Sequence, residues 1–380
     1  MKRRDFLTRA GTGAAAGAVS MTALAQAPQP APQPAPTAQS GAATVKWRLA
    51  TSWPKSLDAM HGSAELMARR VAEMSEGRFD IRVSAAGEVV PPLQVFDAVQ
   101  QGSVEACHTL TSFFIGKNPA LAFDAGVAFG LNARQQNAWM YYGGGLDLLR
   151  DVVKQYGMLL FPAGNVGVQM GGWYRKEIKS VADLKGLKFR IGGFGGMILT
   201  KLGVVPQQIP AGDIYSSLER GTIDAAEWIG PYDDEKLGFQ KIAKYYYYPG
   251  WWEGSAQVSI LVNAKQWEAL PRPFQAMFEA ACNEQNLLMP AHYDANNPAA
   301  LKRLIGGGTQ LRLFPRPVLD ACYDATLQTL DELAAKSADF KRVYEQWSKF
   351  RDDQNMWFRV AESSLDNYRY SRSAQAARKP

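Results

Sequence analysis

The chain has 380 residues, with 42 lysines and arginines against 36 aspartates and glutamates, a formal charge of +6. Lys2, Arg3, Arg4 and Arg9 less Asp5 account for +3 of that, and the +3 left is too mild and scattered for a nucleic-acid surface. It does suit an anionic small ligand, and no stretch approaches the ~18 uninterrupted apolar residues of a spanning helix.

The front reads as an address. Lys2-Arg3-Arg4-Asp5-Phe6-Leu7-Thr8 is a twin-arginine start, residues 14–25 are Ala/Gly-rich and apolar, and Ala23-Leu24-Ala25 is a small-residue cleavage site. The alternative is an ordinary amphipathic helix. No cysteine follows the cleavage site, which argues against a lipid anchor. Residues 26–43 are rich in Pro, Gln and Ala and read as a disordered tether. The folded part then starts at Thr44, in the periplasm. Its length, about 340 residues, exceeds what one core usually covers, so two lobes are expected.

Val45–Ala50 alternates as a strand, Ser56–Met74 has helical spacing, and Phe79–Ser84 alternates again. Val89-Val90-Pro91-Pro92 opens a helix over Leu93–Gln101, and Gly102 turns the chain into a buried strand. This β-α-β rhythm predicts an α/β lobe with a largely parallel sheet. Residues 131–157 read as helical, and Phe161–Trp173 re-enters as strand and turn. Gln100-Gln101-Gly102-Ser103-Val104-Glu105-Ala106 recurs 119 residues later as Glu219-Arg220-Gly221-Thr222-Ile223-Asp224-Ala225. Each copy follows an amphipathic helix, the second over Ala211–Arg220, and each helix follows a Val-Val-Pro. The glycine reads as a left-handed helix stop. Two lobes built alike around a cleft is the hinge-closing binding-protein architecture.

Lys236–Lys244 reads as a helix and Val258–Asn263 as a strand that crosses back. Helical patterns follow over 274–304, 316–337 and 338–370. In the last, Phe340, Val343, Trp347, Phe350, Met356, Val360 and Leu365 recur at helical spacing. That face packs on its own body or on a second copy. The expected division is 44–160 for lobe I, 161–257 for lobe II, 258–337 for a return strand and helices, and 338–380 for a packing or dimerisation helix. Cys107, Cys282 and Cys322 allow one disulfide, Cys282–Cys322, but the odd count favours buried free thiols. His61, His108 and His292 are isolated, which argues against a zinc or iron site.

The chemistry concentrates between Asn165 and Trp228. Arg190 closes the run Leu187–Ile191, and a guanidinium there grips a carboxylate through two parallel hydrogen bonds or staples a buried acid. Glu227, in the apolar run Ala225-Ala226-Glu227-Trp228-Ile229, cannot stay charged and unpaired if buried. It pairs with an arginine or holds a cation. Gln169 is either an oxygen donor for a hard cation or a satisfied core amide. The glycine-rich turn 192–196 does not fit a nucleotide loop.

FPAGNVGVQMGGW, LKGLKFRIGGFGG, LERGTIDAAEWIGPYDD and YYYPGWWEG together resemble the solute receptors of TRAP (tripartite ATP-independent periplasmic) transporters. The similarity runs over residues 44–370, to the branch that binds 2-oxo acids and lactate with a metal ion. It implies an α/β, two-lobed, type II-like periplasmic fold with a helical C-terminal extension. It implies that Arg190 grips the substrate carboxylate, and that Gln169, the Glu227 side chain and the Trp228 carbonyl hold Na⁺ or Ca²⁺ bridged to the substrate. Asn165, Phe113, Phe114 and Glu253 would line the pocket. The family usually carries a tyrosine pair where Phe113-Phe114 stand, so a substrate hydrogen bond is missing and an apolar ligand tail is favoured. The implied partners are a small carboxylate, the small and large permease subunits, and a second copy through the C-terminal helix. The rival class is a secreted metal-assisted enzyme on 2-oxo acids, which needs a general base. The Asn165–Trp228 stretch holds no histidine.

Overall fold

The computed structural model describes residues 44–376, with side chains to 373. The leader at 1–25 and the tether at 26–43 lie outside the described residues. Alternation in β1 (Val45–Thr51) buries Trp47 and Leu49 and exposes Lys46 and Arg48, as a half-buried strand requires. β2 (Phe79–Ser84) and β3 (Ala106–Thr109) pair with it in parallel on either side. β4 (Met158–Asn165) follows in the same sheet. The chain then builds a second sheet from β5 (Trp173–Tyr174), β6 (Lys188–Arg190), β7 (Val205–Gln207), β8 (Ala225–Ala226) and β9 (Tyr245–Tyr248). β10 (Gln257–Asn263) returns to the first sheet and β11 (Gln310–Leu313) goes back to the second.

The strand orders are β2-β1-β3-β10-β4 and β11-β9-β5-β8-β6-β7. β10 runs antiparallel to both β3 and β4, so it alone joins them. Each sheet is the centre of one lobe, and the change of sheet falls after Asn165. The echo between the lobes is real at its turning points. Gly102 and Gly221 stop their helices at φ +74° and +71°, a left-handed conformation that costs glycine little.

Several elements differ from the sequence reading, each for a local reason. The first helix begins at His61, because residues 54–60 are spent on turns closed by Leu57 N→Pro54 O and Met60 N→Leu57 O bonds. The 131–157 pattern is two helices, Ala133–Tyr142 and Gly145–Lys154, parted where Gly144 turns to φ +83°. The helix expected over 236–244 is instead Pro231–Leu237, followed by a single tight turn at Phe239–Lys241. Pro231 suits its first turn, and Gly238 ends it at φ +79°.

The long helix Arg272–Gly306 packs against β4, the helix His61–Met74 and the helix Pro231–Leu237. Arg316–Lys336 and Ala338–Phe358 follow, then a π-helical turn, Arg359–Ser363, and a last helix, Ser364–Ala376. The C-terminal pattern has a buried part, which packs on its own body, and an exposed part. Phe340, Val343 and Trp347 are buried in their own body's core, Phe340 and Trp347 against Phe123, whereas Met356, Trp357, Val360 and Leu365 are exposed. All three cysteines are free and buried, and Cys282 and Cys322 belong to different core clusters. Among the described residues no helix is long and apolar enough to cross a membrane.

Candidate functional site

Parallel strands end their backbone pairing at their carboxyl ends, and ligands in open α/β sheets bind in the crevice there. β3, β6 and β8 all point those ends at one cleft. Leu110, Ser112 and Phe113 follow β3, Arg190 and Gly192 end β6, and Glu227, Trp228 and Ile229 follow β8. Gln169 and Glu253 come from the two segments that pass between the sheets. Together these residues enclose a cavity of about 20 Å³, little more than one water molecule needs.

Arg190 ends β6 and Glu227 directly follows its parallel neighbour β8, with Glu227 N donating to Arg190 O at 3.0 Å. That register places the guanidinium and the carboxylate side by side with both nearly out of water, 2% and 6% exposed. Arg190 Nη1 donates to Glu227 Oε1 and, at 2.7 Å, to the Glu227 carbonyl. Nε donates to Ile209 O at 3.0 Å, and Nη2 makes no hydrogen bond among the described residues. The guanidinium carbon lies 4.9 Å from the Trp228 ring centroid, a cation–π contact. Of the two sequence readings of Glu227, the arginine pair is the one formed.

Burial dominates the electrostatics. It pushes Glu227 up to about 7 against the opposing pull of Arg190, and lowers the Arg190 guanidinium from its usual value. Burial also holds Glu253 well above the carboxylate range, with the Glu227 charge adding to it. Among the described residues Gln169 Oε1 accepts only a long 3.4 Å bond, from Trp252 Nε1. The Trp228 carbonyl accepts no hydrogen bond among the described residues. Among those residues no trio of His, Cys, Asp or Glu is placed to hold a metal. Gln169, Glu227 and Trp228 bring an amide oxygen, a carboxylate and a peptide carbonyl to a lining that also holds Ser112 and Glu253, and these are hard oxygens of the kind Na⁺ and Ca²⁺ take. The residues present fit such a cation.

The cleft is shut across its rim. Gln208 Nε2 donates to Phe113 O at 3.1 Å, and Tyr232 OH to Asp58 at 2.8 Å, with Lys236 ion-paired to the same carboxylate. Trp53 packs edge-on to Trp228 and tilted to Phe113, both at 6.1 Å. Its Nε1 donates to His108 Nδ1 at 3.0 Å, and burial keeps that imidazole neutral, down to about 4.

The structure brings together Phe113, Gln169, Arg190, Glu227, Trp228 and Glu253 in one wall. Asn165 and Phe114 lie behind it. Asn165 sits at the end of β4 opposite Gln257, its Oδ1 accepting from Gly167 N at 2.9 Å and its buried Nδ2 unpartnered. Phe114 turns into the core against Phe96, with ring centroids 5.0 Å apart. Leu110, Ser112, Gly192 and Ile229 were not foreseen; their signal was their place just after strand ends. Gly250 was also missed. A Cβ there would stand 2.4 Å from Gln169 O, so only glycine lets the two crossing segments meet.

Comparison with known proteins agrees with this geometry. The chain is 50% identical over 368 residues to a monocarboxylate 2-oxoacid-binding periplasmic protein of Nostoc sp., covering 97% of this chain and 99% of that one. A TRAP transporter solute binding protein from Bordetella bronchiseptica, a mixed-occupancy dimer with calcium and picolinate in one site, is 60% identical with a TM-score of 0.87. The match covers 88% of this chain and 99% of that one. A TRAP periplasmic solute binding protein from Pseudoalteromonas atlantica, with sodium and pyruvate bound, is 39% identical, TM-score 0.83, over 85% and 99% of the two chains. With residues 49–337 matching the family as well, the chain belongs to the bacterial extracellular solute-binding proteins of family 7, and is a TRAP-transporter solute receptor.

Proposed function

We propose that this receptor captures a small monocarboxylate, a 2-oxo acid such as pyruvate or a 2-hydroxy acid such as lactate, together with Na⁺ or Ca²⁺. The observation that carries the reading is the Arg190–Glu227 pair inside the closed cleft. A ligand carboxylate is the chemical equivalent of the Glu227 carboxylate. When it takes the guanidinium fork, Glu227 is released and, as an anion out of water, needs a cation. Arg190 then binds the ligand, and Gln169, Glu227 and the Trp228 carbonyl are the oxygens available to the metal. A bound cation supplies charge that offsets desolvation of the ligand and organises its 2-oxo oxygen. Leu110, Phe113 and Ile229 give the remaining wall an apolar character, and no hydroxyl stands at Phe113 to bond the ligand tail. Asn165 and Phe114 support that wall from behind and Glu253 lines it.

Two relatives support the pairing of acid and cation, calcium with picolinate in one and sodium with pyruvate in the other. Micromolar affinity needs only ~8 kcal/mol, within reach of one fork and one metal bridge. Because acid and cation replace one broken ion pair, each raises the affinity of the other by the same factor. Calorimetric titration of pyruvate with and without calcium tests this. Stoichiometric binding that strengthens with calcium supports the reading, and calcium-indifferent binding refutes the exchange.

The delivery side follows from the same class. Twin-arginine export places the receptor in the periplasm, and the closed form is presented to the small and large subunits of a membrane permease. The exposed Met356, Trp357, Val360 and Leu365 face is covered by a second copy, as the dimeric Bordetella bronchiseptica relative suggests. Capture without turnover is the expected chemistry: among the described residues no histidine lines the cavity, and Glu227, once released from Arg190, is taken up by the cation and does not serve as a base. Conversion of pyruvate on prolonged incubation would favour the metal-assisted enzyme.

A further inference from the structure

The peptide between Trp228 and Ile229 has two ends with different tasks. A trans peptide is planar, so its C=O and N–H point in opposite directions, and holding one end aims the other. Ile229 N donates to Asp234 Oδ1 at 3.2 Å. The Trp228 carbonyl on the opposite side accepts no hydrogen bond among the described residues, and Trp228 lines the cleft. Glu227, one residue earlier, is already held at both ends, its N–H by Arg190 O and its carbonyl by Arg190 Nη1. One carbonyl in this segment is therefore steered and left free.

The steering group is itself fixed. Asp234 is 1% exposed, and its Oδ2 accepts from Tyr246 OH at 2.7 Å and Trp173 Nε1 at 3.0 Å. Those two rings stack with centroids 4.0 Å apart, so β5 and β9 present both donors as one plate. A carboxylate removed from water is costly unless hydrogen-bonded, and here both oxygens are used. The neighbouring Asp233 does something else, accepting from Tyr293 OH at 2.7 Å on the long helix. An acceptor on the N–H also polarises the amide and enriches its carbonyl oxygen in negative charge. Aim and charge both favour cation ligation.

We propose that Asp234 is the positioning residue of the cation site: by holding Ile229 N–H it turns the Trp228 carbonyl toward the cleft, beside Gln169 and Glu227. This rests on the reading that the Trp228 carbonyl takes a cation. The residue touches neither acid nor metal and acts only through the peptide.

Two titrations on the intact receptor test it: calcium into protein saturated with pyruvate, and pyruvate into protein saturated with calcium. For Asp234→Asn the half-saturating calcium rises roughly tenfold or more, the scale seen when the groups that orient metal ligands are removed. The pyruvate constant at saturating calcium moves less. Tyr246→Phe keeps the stacked ring and removes one donor to Asp234, so it shifts calcium in the same direction by a smaller factor. It also carries the test if Asp234→Asn does not fold. Unchanged half-saturating calcium in the variants overturns the proposal. So does an equal loss in both titrations together with the melting temperature, which marks a purely structural role. If wild-type pyruvate binding ignores calcium, the cation site itself is refuted, a result seen before any variant is made.

Discussion

Arg190 and Glu227 show what a charged pair can do when a sheet register delivers both to one crevice. The pair is stable as it stands, yet each partner has the chemistry to accept a replacement. Arg190→Ala leaves Glu227 without its cation, and breaking a buried pair in this way costs about 3–5 kcal/mol of stability. Carboxylate binding should fall below calorimetric detection while the circular dichroism of the fold is retained; unchanged affinity would remove Arg190 from the site. The sequence exposed this pair because an arginine and a glutamate inside apolar runs are conspicuous. Asn165 and Phe114 were harder to place. Whether a strand-end side chain faces the cleft or the sheet behind it depends on register and on a single turn, and neither is written in spacing. Asp234 was invisible as a contributor because its action passes through a backbone amide.

The C-terminal helices argue at the scale of elements. Trp347 is buried against Phe123, and its ring lies so close to Gly130 that a Cβ there would meet it at 2.9 Å. Trp347→Ala should cost about 3–5 kcal/mol, read as a lowered midpoint in urea unfolding. Beyond Phe358 the same apolar spacing continues, and although Glu362 is ion-paired to Arg134, the apolar Val360 and Leu365 stay exposed. Trp357→Glu should leave stability nearly unchanged and convert a dimer to a monomer in light scattering; a wild type already monomeric would refute the dimer. Periodicity foretold that these helices exist, and it located Phe79–Ser84 to the residue. It failed where backbone conformation decides. Gly144 and Gly238 each end a helix by turning left-handed, and the pattern of apolar residues runs on past both.

Across the whole molecule, several buried acids share one bias. Burial pushes Asp124 and Asp233 up to about 6 and Asp234 to about 7, so the folded chain holds these protons more tightly than the unfolded one. Their stabilisation is complete below the ordinary aspartate range, near 4, and is lost as pH rises through 6 to 7. His108, pushed down to about 4, and His61, also lowered by burial, act in the opposite sense, losing stability as pH falls below 6.5, but they are two groups against five acids once Glu227 and Glu253, both raised by burial, are included. The ligand-free protein should therefore melt higher at pH 5 than at pH 8, and Asp124→Asn should flatten part of that slope; a flat wild-type profile would contradict it. The two-lobed plan was legible from the repeated turn at Gly102 and Gly221. The pairing of β10 was not, since strand order depends on which edges are open when a strand arrives. That late arrival has a consequence for synthesis. Asn165 leaves the ribosome long before its ladder partner Gln257, and until β10 inserts, β3 and β4 each keep an unpaired edge of the kind that invites aggregation. The first lobe is thus finished from the far half of the chain, so an interrupted translation product is marked as incomplete by one missing strand.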